Sequence, residues 1–195
     1  MRGVILCGGQ STRMGTDKGM LMLQSRSWAQ VAAAKMEVLG LPVSVSVNEL
    51  QYAAYAGVFA AQQLVKDDPA IDVRGPLLGI LSVHQQYPAD DLFVLACDMP
   101  LMEPAVMQSL LSYYLQQHQH PDACVFTNQN AYQPLCGIYS VNGLLAIQQL
   151  QTNGRLVKHS MKFVLENIHT LPLVMAPDQP KYFSNFNTQD ALDGL

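Results

Sequence analysis

A glycine-rich segment with two basic residues directly follows the first apolar run of the chain. The run Arg2–Cys7 is followed by Gly8–Lys18, which has the sequence GGQSTRMGTDK. Adjacent glycines let backbone N–H groups approach an anion closely, and Arg13 and Lys18 add a forked and a compact cation, a pair that suits a polyphosphate. The alternative is an ordinary glycine turn with two solvated cations. Because the apolar run, the glycines and both cations occur together, the pattern favours a polyphosphate site.

The glycine spacing in this segment excludes two common nucleotide-binding loops. A P-loop requires Gly-x4-Gly-Lys-Ser/Thr, but two residues separate Gly15 from Lys18. A dinucleotide fingerprint requires Gly-x-Gly-x-x-Gly, and after Gly8 and Gly9 the next glycine is Gly15. The spacing therefore disfavours a nicotinamide-dependent oxidoreductase.

The candidate site residues need a scaffold, and the alternation of strand-like and helix-like patterns indicates which one. Such alternation predicts an α/β fold, with a mostly parallel twisted sheet covered by helices in three α/β/α layers. In these sheets, ligands bind beyond the carboxyl ends of the strands. The loops that begin there start at four positions: Gly8, Asn48, Asp67 and Asp98. Other predicted elements are helices at about residues 50–63 and 156–167, an extended segment 181–184 and a terminal helix from about Thr188.

Composition and charge narrow the class of protein. Of 195 residues, 49% are hydrophobic and 13% charged, and 11 basic against 15 acidic residues give a net charge of −4. This apolar content excludes a disordered chain, and a chain of this length can bury about 70% of its unfolded surface. We therefore predict one domain, residues 1–195. The acidic balance argues against nucleic acid as a partner, so a local group of residues must hold any anionic ligand.

Cysteine use and apolar run lengths bear on the compartment. None of the cysteines forms a Cys-x-x-Cys pair, and each lies in an apolar context: Cys7, Cys97, Cys124 and Cys136. This pattern favours core thiols in a reducing cytosol. No apolar run approaches the roughly 18 residues of a spanning helix, and Val4–Cys7 is too short for a signal-peptide core. The sequence predicts a cytoplasmic protein without a membrane partner.

Six segments along most of the chain form a recognisable set. They are Leu6–Lys18, Val47–Asn48, Gly75–Ile80 (GPLLGI), Ala96–Pro100 (ACDMP), Gln133–Tyr139 (QPLCGIY) and Asn185–Asp190 (NFNTQD). This set resembles the NTP-dependent nucleotidyltransferases of the sugar-nucleotide pyrophosphorylase type, and among them most closely the molybdenum cofactor guanylyltransferases (MobA-like). Cys7 stands where the usual Leu-Ala-Gly-Gly loop has alanine, a change of one small residue.

The resemblance implies a fold, a reaction and a cofactor. The fold would be the Rossmann-like nucleotide-diphospho-sugar transferase type, with a nucleotide-binding part at about residues 1–100 and an acceptor-binding part at about 101–195. The reaction would be Mg²⁺-dependent transfer of GMP from GTP to the terminal phosphate of molybdenum-molybdopterin, which yields molybdopterin guanine dinucleotide and pyrophosphate. An acceptor phosphate is already anionic at pH 7, so positioning and charge neutralisation suffice without a general base.

The resemblance also implies roles for individual residues. Arg13 and Lys18 would hold the triphosphate and stabilise charge as pyrophosphate leaves, and Asp98 would bind Mg²⁺, since oxygen ligands suit that ion. The alternative for Asp98 is a helix cap. Further nucleotide contacts would come from Leu6, Gly8, Gly9, Asn48, Asp68, Gly75 and Gly79.

Two of these assignments have open alternatives. Asp68 stands seven residues before Gly75, as an acidic ligand-contacting residue does in the guanylyltransferases, but Asp67 is adjacent and the register can differ by one. Both carboxylates are also compatible with a solvated turn. Asn185 and Asn187 would contact the acceptor or the metal through their amides, or hold the terminal helix as Asx turns.

Other functions remain open at this level. The same chemistry with CTP or another nucleotide, and with molybdopterin or a sugar or alcohol phosphate, fits the same motifs. A non-catalytic nucleotide-binding relative is a rival of a different class, which the intact Arg13, Lys18 and Asp98 disfavour. The resemblance suggests GTP and molybdopterin as small-molecule partners, with a GTPase and molybdoenzyme chaperones as candidate protein partners.

Overall fold

A computed structural model describes residues 1–8, 17–119, 121–129 and 131–186 of the chain. Its strands are β1 (Arg2–Leu6), β2 (Met22–Leu23), β3 (Arg26–Ser27), β4 (Val43–Val47), β5 (Leu64–Lys66), β6 (Leu92–Ala96), β7 (Ala123–Asn128), β8 (Ala131–Tyr139) and β9 (Thr170–Val174). Its α-helices are α1 (Trp28–Val38), α2 (Glu49–Tyr55), α3 (Pro76–Gln86), α4 (Pro104–Leu115), α5 (Val141–Thr152) and α6 (Met161–Glu166).

Seven strands form one mostly parallel sheet in the order β5-β4-β1-β6-β8-β7-β9. Strand β8 runs antiparallel to both of its neighbours, and the other pairings are parallel. Strand β1 lies between β4 and β6, with Leu6 opposite Ser46 on one side and Ala96 on the other. The loops that leave β4, β1 and β6 therefore start side by side at one edge of the sheet. The predicted α/β class with a mostly parallel sheet is confirmed.

The helices cover both faces of this sheet, which explains why the central strands are largely buried. Successive residues of a strand point to opposite faces, so Val4 and Ile5 of β1 belong to different hydrophobic clusters. The cluster around Ile5 contains residues of α1 and α4, and the cluster around Val4 contains residues of α3, α5 and α6. Strands that are buried on both faces are rich in apolar residues, as β6 (LFVLA) and the Val4–Leu6 part of β1 are. Strand β4 (VSVSV) is also buried throughout, but it alternates valine with the small residues Ser44 and Ser46.

Local sequence signals set the starts of the helices near the carboxyl edge. Ser27 and Gln30 form a capping box at α1, with Ser27 Oγ accepting from Gln30 N at 3.3 Å and Gln30 Oε1 accepting from Ser27 N at 2.9 Å. Asn48 and Gln51 form the same box at α2. Helix α3 begins differently, with Gly75 at φ +68° and Pro76 as its first residue.

Three predicted elements differ from the structure. The helix predicted at about residues 50–63 ends at Tyr55, and residues 61–63 form a separate 3-10 turn after Gly57 interrupts the helical pattern. Helix α6 covers only the second half of the predicted segment, because Ser160 caps its start by accepting from Phe163 N at 3.4 Å. Pro180–Phe183 forms a 3-10 turn where an extended segment was predicted, since proline favours the first turn of a helix.

Other predictions concern the thiols, the chain end and the membrane. The four cysteines are buried free thiols, as their apolar contexts predicted. The terminal helix predicted from about Thr188 lies outside the described residues. In the part of the chain that the structure describes, no helix combines the length and apolarity needed to cross a membrane.

Candidate active site

The carboxyl ends of β1 and β6 bring Lys18 and Asp98 together. Asp98 lies two residues beyond the end of β6, and Lys18, the last residue of the glycine-rich segment, begins a 3-10 turn. Lys18 Nζ lies 3.2 Å from Asp98 Oδ2, although the two residues are 80 positions apart in sequence. Their side chains are 27% and 19% exposed, so both can meet a ligand from solvent. The sequence identified both residues, and the adjacency of β1 and β6 makes them a pair.

The turn that carries Asp98 is held from two sides. Lys35 of α1 donates from Nζ to the carbonyl oxygen of Pro100 at 2.6 Å. Phe186, near the end of the described residues, donates its backbone N–H to the carbonyl oxygen of Asp98 at 3.0 Å. Burial lowers the pKa of Lys35 to about 8. These contacts fix the backbone on both sides of Met99, and with it the position of the Asp98 carboxylate.

A cavity of about 760 Å³ borders the same edge, between the loops that follow β1, β4 and β5 and the start of α3. Its size is in the range of small-molecule sites. Its wall includes the predicted residues Gly8, Asn48 and Gly75, together with Asp67, Arg74 and Leu78. Apolar groups beside a few polar ones suit a ligand with a flat ring and polar edges.

Of the two adjacent carboxylates, the geometry favours Asp67 over Asp68 as the one that faces a ligand. Asp67 lines the cavity, and a Cβ built on Gly8 would lie 3.2 Å from its Oδ2. Ser46 Oγ donates to Asp67 Oδ1 at 3.2 Å, and burial raises the pKa of Asp67. The Asp68 carboxylate instead accepts from Ala70 N at 2.8 Å within the turn, and Asp68 is not among the residues that line the cavity. A nucleotide contact of Asp68 stays a prediction.

The two glycines of the GPLLGI segment have different surroundings. Gly75 lines the cavity and has φ +68°, a conformation that favours glycine. Gly79 is not among the residues that line the cavity; it lets α3 approach the sheet closely. A Cβ at Gly79 would overlap Ser46 Oγ and lie 3.1 Å from Leu6 Cδ2. Gly79 thus leaves room for the hydroxyl that donates to Asp67.

Replacing Gly79 with alanine should destabilise the protein by about 1–3 kcal/mol, because the added methyl group overpacks the contact between α3 and β4. Urea unfolding followed by circular dichroism measures the change. Ser46→Ala removes the overlapping hydroxyl, so the double variant should recover part of the loss, as coupled neighbours do. A stability loss in the double variant equal to the sum of the losses in the two single variants would contradict this account.

The other predicted nucleotide-binding residues of the described chain lie at the same edge. Leu6 ends β1, and its carbonyl oxygen accepts from Cys97 N at 3.2 Å. Asn48 borders the cavity, but its Oδ1 accepts from Gln51 N at 3.0 Å as the cap of α2. Contacts of Leu6 and Asn48 with a nucleotide stay predictions.

Three predicted site residues fall outside the described residues, and a fourth lies near their limit. Gly9, Arg13 and Asn187 are in the undescribed parts of the chain. Asn185 is exposed and directly precedes Phe186, whose N–H contacts the Asp98 turn. The structure thus brings Phe186, the second residue of the NFNTQD motif, next to Asp98, 88 positions away in sequence.

Sequence reasoning gave no role to several residues that support this edge. Gln51 and Tyr55 donate hydrogen bonds to the carboxylate of Asp17, the residue before Lys18. Lys35 contacts the turn that carries Asp98. The only signal in the sequence was the Asn-x-x-Gln spacing of Asn48 and Gln51, which indicates a capping box. A capping signal predicts a helix start and says nothing about a contact with a distant loop.

Among residues 1–8, 17–119, 121–129 and 131–186, no three His, Cys, Asp or Glu side chains are grouped to hold a metal ion. Asp98 is a single carboxylate at a partly exposed position beside a cation. This arrangement fits Mg²⁺, which often takes one or two protein carboxylates and completes its shell with substrate phosphates and water.

Comparison with known proteins gives consistent results. The MobA-like NTP transferase domain matches residues 3–170 of the chain. A curated relative from Geobacillus sp. (strain WCH70), named "Probable molybdenum cofactor guanylyltransferase", is 28% identical over 156 residues, which cover 77% of this chain and 75% of that protein.

Two solved structures are similar in fold. Molybdopterin-guanine dinucleotide biosynthesis protein A from Archaeoglobus fulgidus has a TM-score of 0.74 and 19% identity, with 100% of this chain and 96% of that chain covered. Rv0371c from Mycobacterium tuberculosis H37Rv, in complex with manganese, has a TM-score of 0.56 and 12% identity, with 90% and 89% covered. At these identities the likeness concerns the fold alone.

Proposed function

Because the chain belongs to the MobA-like NTP transferase family, we propose that it transfers GMP from GTP to the terminal phosphate of molybdenum-molybdopterin. The products are molybdopterin guanine dinucleotide and pyrophosphate. The observation that carries the proposal is the Lys18–Asp98 pair, 3.2 Å apart at the sheet edge that also borders the cavity. The name of the Geobacillus relative supports the same reaction.

In this reaction, an oxygen of the acceptor phosphate attacks the α-phosphorus of GTP. The bond between the α-phosphorus and the oxygen that bridges to the β-phosphorus breaks, and the electron pair leaves with pyrophosphate. Lys18 neutralises charge on the triphosphate, and the same charge stabilises the departing pyrophosphate. The acceptor oxygen is already deprotonated at pH 7, so the chain needs no base to activate it.

Asp98 is the residue that would hold Mg²⁺, with the remaining ligands from phosphate oxygens and water. Bound Mg²⁺ supplies positive charge that neutralises the phosphates in the transition state. Lys35 and Phe186 keep the Asp98 turn in place through backbone contacts on either side of the carboxylate. The manganese in the Rv0371c complex is compatible with a divalent cation in this fold.

The cavity beside this pair is the proposed base pocket. Guanine presents two donors, N1–H and N2–H₂, on one edge, and a carboxylate accepts both. Asp67 is the carboxylate that lines the cavity, and the Ser46 hydroxyl fixes one of its oxygens. CTP is the principal alternative, and cytosine presents only one amino donor, on N4.

Asp67→Asn should weaken GTP binding about tenfold or more and at the same time stabilise the protein at pH 7. Burial raises the pKa of Asp67, so its charged form costs folding free energy, and asparagine avoids that cost. The gain should be present above the folded-state pKa and vanish as pH falls below the ordinary value of 3.8. Calorimetry with GTP and thermal melting across pH measure both effects.

Asp68→Asn is the matched control, because its carboxylate lies in the neighbouring turn. We expect Asp68→Asn to leave the affinity for GTP within about twofold of the parent protein, a difference below 0.5 kcal/mol. If Asp68→Asn lowers the affinity for GTP and Asp67→Asn does not, Asp68 rather than Asp67 is the carboxylate that contacts the nucleotide.

The decisive experiment is incubation of the protein with Mg²⁺, GTP and molybdenum-loaded molybdopterin, followed by identification of the nucleotide product. The guanine dinucleotide and one equivalent of pyrophosphate are expected. A comparison of GTP, CTP, ATP and UTP tests the base, and a preference for CTP would overturn the guanylyl assignment while leaving the mechanism. GTP binding without turnover in the presence of a competent acceptor would favour a non-catalytic relative.

A further inference from the structure

A group of hydrogen-bonded polar atoms around Asp17, the residue before Lys18, connects helix α2 to the chain at Cys7 and at Asp17. It consists of the Asp17 carboxylate, the Gln51 amide, the Tyr55 hydroxyl and the carbonyl oxygen of Cys7. Gln51 and Tyr55 belong to α2, whereas Cys7 directly precedes the glycine-rich segment Gly8–Lys18 and Asp17 is its last residue but one. Helix α2 therefore contacts both ends of the segment that carries Arg13 and Lys18.

The amide of Gln51 makes the contact with both ends at once. Its Nε2 donates to the Cys7 carbonyl oxygen at 2.9 Å and to Asp17 Oδ2 at 2.7 Å. Its Oε1 accepts from Asn48 N at 3.1 Å, so the capping box fixes the same side chain from the helix side. A primary amide has two N–H donors and one oxygen, and all of them are engaged here.

Tyr55 fixes the other oxygen of the same carboxylate. Its hydroxyl donates to Asp17 Oδ1 at 3.0 Å, and the backbone N–H of Gly19 donates to that oxygen at 3.0 Å. The Tyr55 side chain is fully buried, and a Cβ at Gly19 would overlap its hydroxyl. The Asp17 carboxylate thus receives three hydrogen bonds from neutral donors, one each from Gln51, Tyr55 and Gly19.

We propose that Gln51 and Tyr55 are positioning residues for nucleotidyl transfer, and that they act through Asp17 on Lys18. By holding Asp17, they set the separation of the two ends of the glycine-rich segment and aim Lys18 Nζ at the sheet edge, 3.2 Å from Asp98. Preorganised charge is effective in catalysis only when the supporting contacts hold it in place. The inference rests on the proposed function, in which Lys18 binds the triphosphate.

One substitution, Gln51→Glu, can break the hydrogen bonds from Gln51 to Cys7 and Asp17 while keeping the cap of α2. Gln51→Glu keeps an oxygen to accept from Asn48 N and so retains the cap of α2, but it replaces the amide donors with an acceptor. The new carboxylate then faces the Asp17 carboxylate and the Cys7 carbonyl oxygen, which repel it. Both bonds to the ends of the segment are lost without a change in side-chain size.

The test compares steady-state kinetics of the full chain with Mg²⁺, GTP and molybdenum-loaded molybdopterin. Gln51→Glu should lower kcat about tenfold or more, with a smaller rise in KM for GTP, because the base pocket is unchanged. Tyr55→Phe removes one hydroxyl and should lower kcat in the same direction by a smaller factor. The double variant Gln51→Glu with Asp17→Asn pairs an amide donor with the new carboxylate and should regain part of the lost kcat.

Two matched controls separate positioning from helix stability. Gln30→Glu makes the same change in the capping box of α1. Tyr52→Phe removes a hydroxyl from an α2 ring whose centroid lies 5.3 Å from Lys66 Nζ. Both should leave kcat within about twofold of the parent protein. Equal losses in Gln30→Glu and Gln51→Glu, or full activity in both Gln51→Glu and Tyr55→Phe, would overturn the proposal. If Gln51→Glu does not fold, Tyr55→Phe decides the question alone.

A binding measurement keeps this inference separate from the proposed function. Calorimetry with inorganic triphosphate and Mg²⁺ involves neither base nor acceptor and reports the phosphate-binding segment directly. We expect Gln51→Glu to bind triphosphate about threefold more weakly than the parent protein, in line with the smaller rise in KM for GTP, and Gln30→Glu to bind it equally well. If the parent protein transfers no GMP but this difference persists, the proposed function fails and the positioning role stands. Equal triphosphate affinity in Gln51→Glu and the parent protein contradicts the positioning role.

Discussion

Lys18→Ala and Asp98→Asn should each lower pyrophosphate release by about a thousandfold, the upper range for removal of one preorganised electrostatic group. Lys18 supplies the cation next to the leaving phosphates, and Asp98 is the carboxylate proposed to hold Mg²⁺. In the structure the two side chains are 3.2 Å apart, so each variant also leaves its partner without this ion pair. A coupled assay of pyrophosphate release with GTP and the acceptor measures the loss.

The fold should survive both substitutions. Their ion pair is partly exposed, with side chains 27% and 19% accessible, and pairs of this kind contribute about 1 kcal/mol or less. Thermal melting should therefore shift by only a few degrees. Lys162→Ala is the matched control, because Lys162 forms an exposed ion pair with Glu166 at 3.8 Å on α6. Unchanged turnover in either site variant would remove the site assignment.

Gly143→Ala should destabilise the protein by about 3 kcal/mol or more, a loss of about 6–12 °C in melting temperature for a chain of this size. Gly143 lies in the first turn of α5, where a Cβ would overlap the carbonyl oxygen of Asp122 and lie 2.6 Å from its carbonyl carbon. The obstacle is backbone, which cannot rotate away as a side chain can. Ser140 also donates to this carbonyl, through its N–H at 3.0 Å and its Oγ at 3.3 Å, and so holds it in place.

Thermal melting and urea unfolding of Gly143→Ala measure this effect, with Asn142→Ala as the control in the same helical turn. Asn142 is exposed, so its replacement should change stability by about 0.5 kcal/mol or less. In an open helical position, Gly→Ala stabilises by up to about 1 kcal/mol through helix propensity. A melting temperature equal to or above that of the parent protein would therefore show that the close approach of Asp122 is absent.

Local signals predicted the parts of the fold whose causes are local. The capping box of Ser27 and Gln30 located the start of α1, and Gly75-Pro76 located the start of α3. The apolar runs Arg2–Cys7 and Leu92–Cys97 located β1 and β6 to within one residue. Helix α2 was predicted too long, and the hairpin of β2 and β3 was not predicted, because strands of two residues carry too little pattern to detect.

The candidate site also has features that local sequence predicted and features that depend on tertiary contacts. Residue type and spacing identified Lys18 and Asp98 one at a time, because each lies in a short motif after an apolar run. Their contact depends on β1 and β6 being neighbours in the sheet, which no local pattern records. The choice between Asp67 and Asp68 likewise follows from where β5 ends beside β4, since one residue changes the direction of the side chain.

By itself, the sequence determined the fold class, the positions of the central strands, and the residue types able to meet a polyphosphate and a divalent cation. Only the tertiary structure decided that Gln51 and Tyr55 of α2 hold Asp17 and that Gly79 leaves room for the Ser46 hydroxyl. It also decided that Phe186 lies next to Asp98. The reason is physical. Hydrophobic periodicity and capping are properties of neighbouring residues, whereas a site is built from side chains that the order of the strands brings together.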